Sequence, residues 1–490
     1  MITDKELVKL IFGLKIKYLR RSKNLSYKEL ADKTGIGLSY IHEIEKGKKY
    51  PKYDKIIQLA EVFGVEYDSL VSTKSTKHLR PILDLVKSDF FKVFPLDSFG
   101  IDRSKLIEMF LDAPDRVNAL VSTLETTIRS YHMTQENFYL TALRSYQNIQ
   151  NNYFEEIEKS IVQFKKENKL KTDSKLTTKK LINLLKKNND ISIDDRSLNT
   201  NKALNEIRSF FHHKKNILFL NSDLADEQIR FLIARETGFQ YLNLEERPYE
   251  TRIIDASNYE KLLSNFKASY FAVALLLDES TIIKDMNAFF DAPKWNPEFL
   301  LSLIKKYNIT PEMLFQRLTN ILPKHFNIDD LFFLRLHGSS DLNTYTITKE
   351  LHLNQLHEPY TNYTDEKYCR RWVSIEILKQ LRMSKENEPY LADGQISDYH
   401  NSDNAYLLLS IAKKNHKNPK EGSSVNLGLK INPQLKERIN FLKDPKLPTK
   451  LVHTTCQRCS ISDCVQRAAL PIILEKENEL SEIEEALRAL

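Results

Sequence analysis

A chain of 490 residues that is 41% hydrophobic and 28% charged can bury real cores, and its length predicts roughly three or four domains. No stretch approaches about 18 uncharged apolar residues, and the N-terminal segment lacks a long apolar core, so a membrane span and a signal peptide are not expected and a cytoplasmic protein is. The formal net charge of +7 is uneven: residues 1–75 hold 15 Lys/Arg against 10 Asp/Glu, a field suited to nucleic-acid phosphates.

Residues 6–22 read as an amphipathic helix with Leu7, Leu10, Ile11, Leu14 and Leu19 buried and Lys15, Lys17, Arg20 and Arg21 exposed. Ser26 followed by Glu29 is a capping-box signature that opens a second helix. Gly35 interrupts it, a third helix runs from about Leu38 to Glu45, and Gly47 stops that one. A fourth carries Ile56, Ile57, Leu59, Ala60 and Phe63 to Gly64, and a short fifth ends near Leu70. Two short helices around a Gly-containing turn, the second with a polar face, form the geometry that places a helix in a major groove. From Leu25 to Val65 the succession resembles the Xre/phage-repressor helix-turn-helix, a match covering residues 10–70. The resemblance implies that Leu38, Ser39 and His42 face base edges. It also implies that Tyr40 and Lys46 lie near the DNA backbone and that Lys48, Lys49 and Lys52 touch phosphate. A homodimer on two-fold DNA sites is expected from the module type.

Residues 76–167 look mostly helical, with one long helix from about Gln135 to Lys166 whose apolar residues recur at threes and fours. Such a helix could join the domains, form a dimer contact or be core. A Lys-rich polar stretch near 165–179 marks a boundary, and a short helix follows at about 177–187. Next, KNILFL reads as a buried strand, with His212 and His213 before it treated as surface or strand residues because adjacent side chains point apart. The following helix, with Arg235-Glu236-Thr237-Gly238-Phe239, resembles that of the ImmA/IrrE-like family, which carries a zinc-binding HExxH. Here the two histidine positions hold Arg235 and Phe239, and the residue matching the third ligand, in the next helix, is Lys267. Only Glu236 survives, paired with Arg235 or Lys267, so zinc has no donors and no catalysis is expected.

Further on, ASYFAVALLL reads as a buried helix, LFFLRL as a buried strand and SVNLGLKI as a sheet strand near 424–431. Three of the four cysteines form Cys456-x-x-Cys459 with Cys464 just beyond, and Cys369 is the fourth. The CxxC spacing lets two thiolates reach one ion or cluster, which leaves structural zinc, a [4Fe–4S] cluster, a dithiol switch or free thiols open. Arg458, Arg467, Arg370 and Arg371 would offset thiolate charge, and Asp463 and His453 are substitute ligands. The order of all these segments resembles bacterial short-chain fatty-acid/propionate-metabolism regulators, Xre-type proteins with a degenerate ImmA/IrrE-like segment. That resemblance implies acyl-CoA as effector and favours the cluster over zinc. Arg317, Arg335, Arg370, Arg371 and Lys413 are the candidate cations for the phosphates.

The expected architecture is therefore multidomain. An all-α helix-turn-helix domain spans 1–72 and a helical linker or dimerisation region 76–167. A degenerate peptidase-related domain spans 177–330, and an α/β ligand-sensing domain with the cysteine cluster 331–490. The function expected is a DNA-binding regulator that senses an acyl-CoA-like metabolite. A zinc-dependent peptidase acting on a repressor, and a phage or toxin–antitoxin adaptor that binds protein, are the rival readings.

Overall fold

The computed structural model describes residues 4–72, 99–100, 135–170, 176–248, 259–339, 343–354, 366–384, 389–400, 402–415 and 421–489. Most of the linker expected over 76–167 lies outside these residues. The chain divides into two compact units, Met1–Ala142 with Ala256–Tyr259, and Leu143–Asp255 with Glu260–Leu490.

Among the described residues up to Ser72, the first unit forms five helices: α1 (Asp4–Ser22), α2 (Tyr27–Thr34), α3 (Leu38–Glu45), α4 (Tyr53–Phe63) and α5 (Tyr67–Val71). The Ser26/Glu29 capping box closes reciprocally at the start of α2, and Gly35, at φ 67°, ends it in the left-handed conformation. Phe12, Ile16, Leu30, Ile41, Ile44, Leu59 and Phe63 fill one core. At Gly13 a Cβ would meet the Ile44 carbonyl oxygen at 2.2 Å, so glycine lets α1 and α3 pack backbone to backbone. The expected polar face of α1 is only partly exposed. Lys15, Lys17 and Arg20 are buried, because the Lys15 ammonium donates to the carbonyls of Ser69 and Ser72 at 2.7 and 2.5 Å, and Arg20 reaches Glu45. Periodicity could not anticipate this, since the carbonyls that solvate Lys15 come from a segment more than fifty residues away.

The expected long helix is two, Gln135–Ile149, which runs across the division at Ala142, and Glu155–Glu167 in the second unit. The break falls at Asn151 and Asn152, both left-handed at φ 46° and 52°. It is held by the Asn152 amide, which donates to Thr319 Oγ1 at 2.8 Å. The helix expected near 177–187 is Thr178–Asn189, capped by Thr177. A three-stranded sheet, β1 (Ser192–Asp194), β2 (Ser209–His212) and β3 (Ile217–Leu220), takes the order β1-β3-β2, with β1 parallel to β3. Helix Asp226–Tyr241 follows, then Tyr259–Leu276, Glu279–Asp291, Glu298–Tyr307 and Pro311–Phe326.

The larger sheet contains β4 (Leu331–Gly338), β5 (Tyr345–His352), β6 (Tyr390–Tyr399), β7 (Ala405–Lys414), β8 (Gly422–Lys430) and β9 (Thr449–Val452). Their order is β5-β4-β8-β7-β6-β9, antiparallel except for β9 beside β6. Alternation along the strands divides their side chains between two cores. Leu331, Phe333, Leu407, Leu409, Leu427 and Leu429 join the large core containing helix Pro311–Phe326. Phe332, Leu334, Leu336, Tyr406 and Leu408 join a smaller one under helix Val373–Met383. Helices therefore cover both faces of this sheet, which explains why LFFLRL is apolar on both sides. Among the described residues, no helix is long and apolar enough to cross a membrane.

Candidate functional sites

The first site is the outer face of α3. Leu38 is 49% exposed, Ser39 and His42 are exposed, and Tyr40 is half-buried beneath Lys55, whose ammonium stands 4.3 Å from its ring centroid. Lys46, Lys48, Lys49 and Lys52 are all exposed around the same turn. Behind them, Arg20 anchors the helix. Its Nε and Nη2 donate to the two Glu45 oxygens at 2.7 and 2.9 Å, its Nη1 donates to the Leu25 carbonyl at 2.9 Å, and its plane lies 4.0 Å from the centre of Tyr27. A bidentate, buried pair of this kind sets orientation more than it adds stability. Its effect here is to hold α3 against α1 with the face of Ser39 and His42 outward.

The second site lies where the HExxH-like segment predicts degenerate chemistry. Helix Asp226–Tyr241 approaches helix Tyr259–Leu276 closely, since a Cβ on Gly238 would meet the Ala268 carbonyl oxygen at 3.0 Å. Between them, β2 and the segment up to Pro248 opens a cavity of about 660 Å³. Arg235, Glu236 and Phe239 all line it. Lys267 does not: the second helix contributes Lys261 and Asn265. Lys261 and Asn265 share a face at i and i+4, whereas Lys267 sits two residues on, about 200° further round. Glu236 pairs with neither predicted partner. It accepts from Arg247 Nη1 and Gln240 Nε2, each at 2.7 Å, while the Arg247 guanidinium covers the rings of Phe239 and Phe211 at 4.6 and 4.8 Å. Arg247 comes from an aperiodic stretch that gave no sequence signal.

Among the described residues Arg235 meets only neutral acceptors, Ser209 Oγ at 3.1 Å and Asn265 Oδ1 at 3.4 Å. Burial, with Arg208 and Arg247 nearby and only Glu236 opposing them, pulls its guanidinium down to about 10. His212 and His213 also line the cavity, His212 with its ring accepting from the Lys215 amide and His213 exposed.

The third site gathers the cysteines. After β9 the chain turns back beside residues 367–369: Cys456 N donates to the Lys367 carbonyl at 2.8 Å and Cys369 N to the Thr454 carbonyl at 3.1 Å. Arg467 ties the rest of the loop, donating to the carbonyls of Cys456, Cys459 and Ile461 at 3.0, 3.2 and 2.5 Å. All four thiols line one small recess of about 10 Å³, with Cys464 the least buried. That space is about one water in size. No group of three or more His, Cys, Asp or Glu among the described residues is arranged to hold a metal ion. The residue types lining the recess suit a sulfur-ligated centre, but their arrangement is not that of a metal site, and the recess is tighter than a cluster requires. Burial, aided by Cys456 and Cys459, pushes the Cys369 thiol up to about 11. Of the predicted counter-charges, Arg370, Arg371 and Arg467 line the recess, whereas Arg458 is turned to Glu366 at 3.0 Å. His453 is absent from the lining.

The five candidate phosphate-binding cations do not form one site. Arg317 is completely buried in a bidentate pair with Glu158, at 2.5 and 3.1 Å, and also donates to the Leu277 carbonyl, so it is a core staple. Arg370 lies over Tyr345, 4.5 Å from its centre, and Arg371 donates to the Leu451 carbonyl at 3.2 Å. Only Arg335 and Lys413 share surroundings, with Arg208 acting on both Lys413 and Glu312. Glu312 holds Lys349 at 3.0 Å and Arg335 at 3.7 Å, and Glu227 lies 3.9 Å from Lys413.

Residues 16–70 match the helix-turn-helix family model, and residues 188–319 match that of the IrrE N-terminal-like domain. The cryptic phage CTXphi transcriptional repressor RstR of Vibrio cholerae is 35% identical over 66 residues, 14% of this chain and 60% of that protein. The uncharacterized HTH-type transcriptional regulator y4mF of Sinorhizobium fredii (strain NBRC 101917 / NGR234) is 31% identical over 65 residues, 13% of this chain and 86% of its own length. A solved Mycobacterium tuberculosis transcriptional regulator aligns over 66% of this chain and 92% of its own, at 17% identity and a TM-score of 0.48.

Proposed function

The chain belongs to the HTH-type transcriptional regulators, and on that premise we propose that it is a homodimeric, sequence-specific regulator whose larger unit senses an acyl-CoA-like metabolite. The observation that carries the DNA reading is the exposed face of α3, with Leu38, Ser39 and His42 toward base edges and Lys46, Lys48, Lys49 and Lys52 around it. Phosphate contacts of this kind position the module and make affinity fall with salt. Selection of duplexes from a randomised pool, followed by salt titration, tests it. Binding indifferent both to salt and to replacement of Lys48 and Lys49 by Ala sinks the groove assignment.

For the effector, the cations at Arg335, Lys413 and Lys349 support a polyanionic ligand, since they outnumber the two carboxylates, Glu227 and Glu312, that face them among the described residues. A ligand shifts the regulator only by binding its DNA-competent and incompetent forms unequally. Acyl-CoA that leaves the DNA affinity unchanged, while raising the unfolding temperature no more than free CoA does, contradicts this part.

The four thiols are proposed to hold a [4Fe–4S] cluster, with structural zinc as the alternative. Either group would supply a cross-link between the C-terminal loop and the segment bearing Cys369, and the cluster would add redox sensitivity. Iron, sulfide and zinc contents after anaerobic purification, compared with a Cys369→Ser variant, decide between them.

A peptidase reading has one point in its favour, the match of residues 188–319 to a peptidase-related domain. Its difficulty is the donor set, because Arg235 and Phe239 stand where metal-binding imidazoles would. Zinc-dependent cleavage of a helix-turn-helix partner would restore it.

A further inference from the structure

The cavity beside helix Asp226–Tyr241 has a charge arrangement that its own side chains leave incomplete. Two guanidinium groups, Arg235 and Arg247, face it. Of the three lining carboxylates only Glu236 is buried, and its contacts go to Arg247 and Gln240. The exposed Glu245 and Glu246 are screened by solvent, as are Lys214 and, more partially, Lys261 on the same rim. The Nε atoms of Arg235 and Arg247 are both buried with no acceptor among the described residues. A guanidinium presents its N–H donors in a rigid planar fork that matches an oxyanion, and holding one beside neutral acceptors is costly. The walls are apolar, formed by Leu218, Leu232, Phe239 and Phe211. The volume suits a small organic molecule more than a lone ion.

We propose that this cavity binds a small organic oxyanion, a carboxylate or phosphoryl group on an apolar body, with Arg235 and Arg247 as its donors. The pocket that in the resembled family would be lined to hold a cation is here lined to hold an anion. This site is independent of the DNA and acyl-CoA readings, since its lining includes neither Arg335 nor Lys413 and its probes contain no CoA.

The test uses the full chain, with calorimetric titration and thermal unfolding in benzoate, inorganic phosphate or chloride at matched ionic strength. Benzoate or phosphate should bind saturably and raise the unfolding temperature beyond the chloride control. The tighter of the two identifies the oxyanion as carboxylate or phosphoryl. Arg235→Gln should weaken that binding by roughly ten-fold or more, the scale of a lost charge-assisted contact. Asn265→Asp places a carboxylate where Asn265 Oδ1 now lies 3.4 Å from Arg235. It should leave a folded chain that no longer responds to either probe. Wild-type shifts no larger than with chloride, or unchanged affinity in both variants, overturn the proposal.

Discussion

Two arginines of the larger unit have the guanidinium Nε withdrawn from solvent, in opposite circumstances. Arg317 has both oxygens of Glu158 on its fork, the Leu277 carbonyl on its Nε, and Tyr270 donating to the same carboxylate at 2.7 Å. Burial works against its charge, but Glu158 outweighs burial and holds the guanidinium above its ordinary range. Among the described residues Arg235 has no carboxylate of its own; it faces a cavity and is depressed to about 10. One arginine is closed by its surroundings and the other is left open. The difference teaches that burial alone does not separate a structural cation from a binding one; the completeness of its acceptors does.

The contrast can be broken most directly at Glu158. Glu158→Gln leaves Arg317 charged and uncompensated in the core and should cost about 3–5 kcal/mol in chemical denaturation, against a much smaller effect at the open site. A smaller, pH-dependent loss is expected at a second compensated ion. Asp278 caps helix Glu279–Asp291 and receives Lys165 at 2.5 Å. Burial pushes its carboxyl up, but Lys165, Ser280 and Thr281 together hold it below its ordinary value of 3.8. Its contribution is therefore present above that value and lost as pH falls through the lower folded value. Asp278→Asn should cost about 1 kcal/mol near neutrality, and the deficit should vanish in strong acid.

Arg235→Met sharpens the other side, with a stability change of no more than about 1 kcal/mol in either direction, because removing a poorly compensated, partly buried charge also removes its desolvation cost. A destabilisation comparable to that of Glu158→Gln would reclassify Arg235 as a staple. Smallest in stability are the exposed cations of the N-terminal unit. Lys48→Ala and Lys49→Ala should leave unfolding unchanged while each lowers the salt slope of DNA binding by about 1.

Much of the fold was legible because it rests on local patterns. The five N-terminal helices follow from the Ser26/Glu29 box, Gly35, Gly64 and the apolar periodicity, all of which act within a turn or two. The strands β3, β4 and β8 likewise announced themselves through apolar runs. The long helix expected from Gln135 failed at Asn151 and Asn152, because its periodicity persists across a break that the contacts of Asn152 with the distant Thr319 and Asn320 explain. The site residues divided similarly. Glu236, Arg235 and Phe239 were visible in one short motif, whereas Arg247 and Asn265 meet them only through chain reversal.

By itself, then, the sequence determined the helix-turn-helix, the loss of metal donors from the HExxH-like segment, and the presence of four thiols, since each depends on residue type at short spacing. Tertiary structure alone decided which charges are neutralised. Lys15 and Arg20 went inward to distant acceptors, Arg317 was absorbed by Glu158, and Arg235 was left beside an open cavity. The physical reason is that a charge is set by everything packed around it, and those partners lie tens to more than a hundred residues away along the chain.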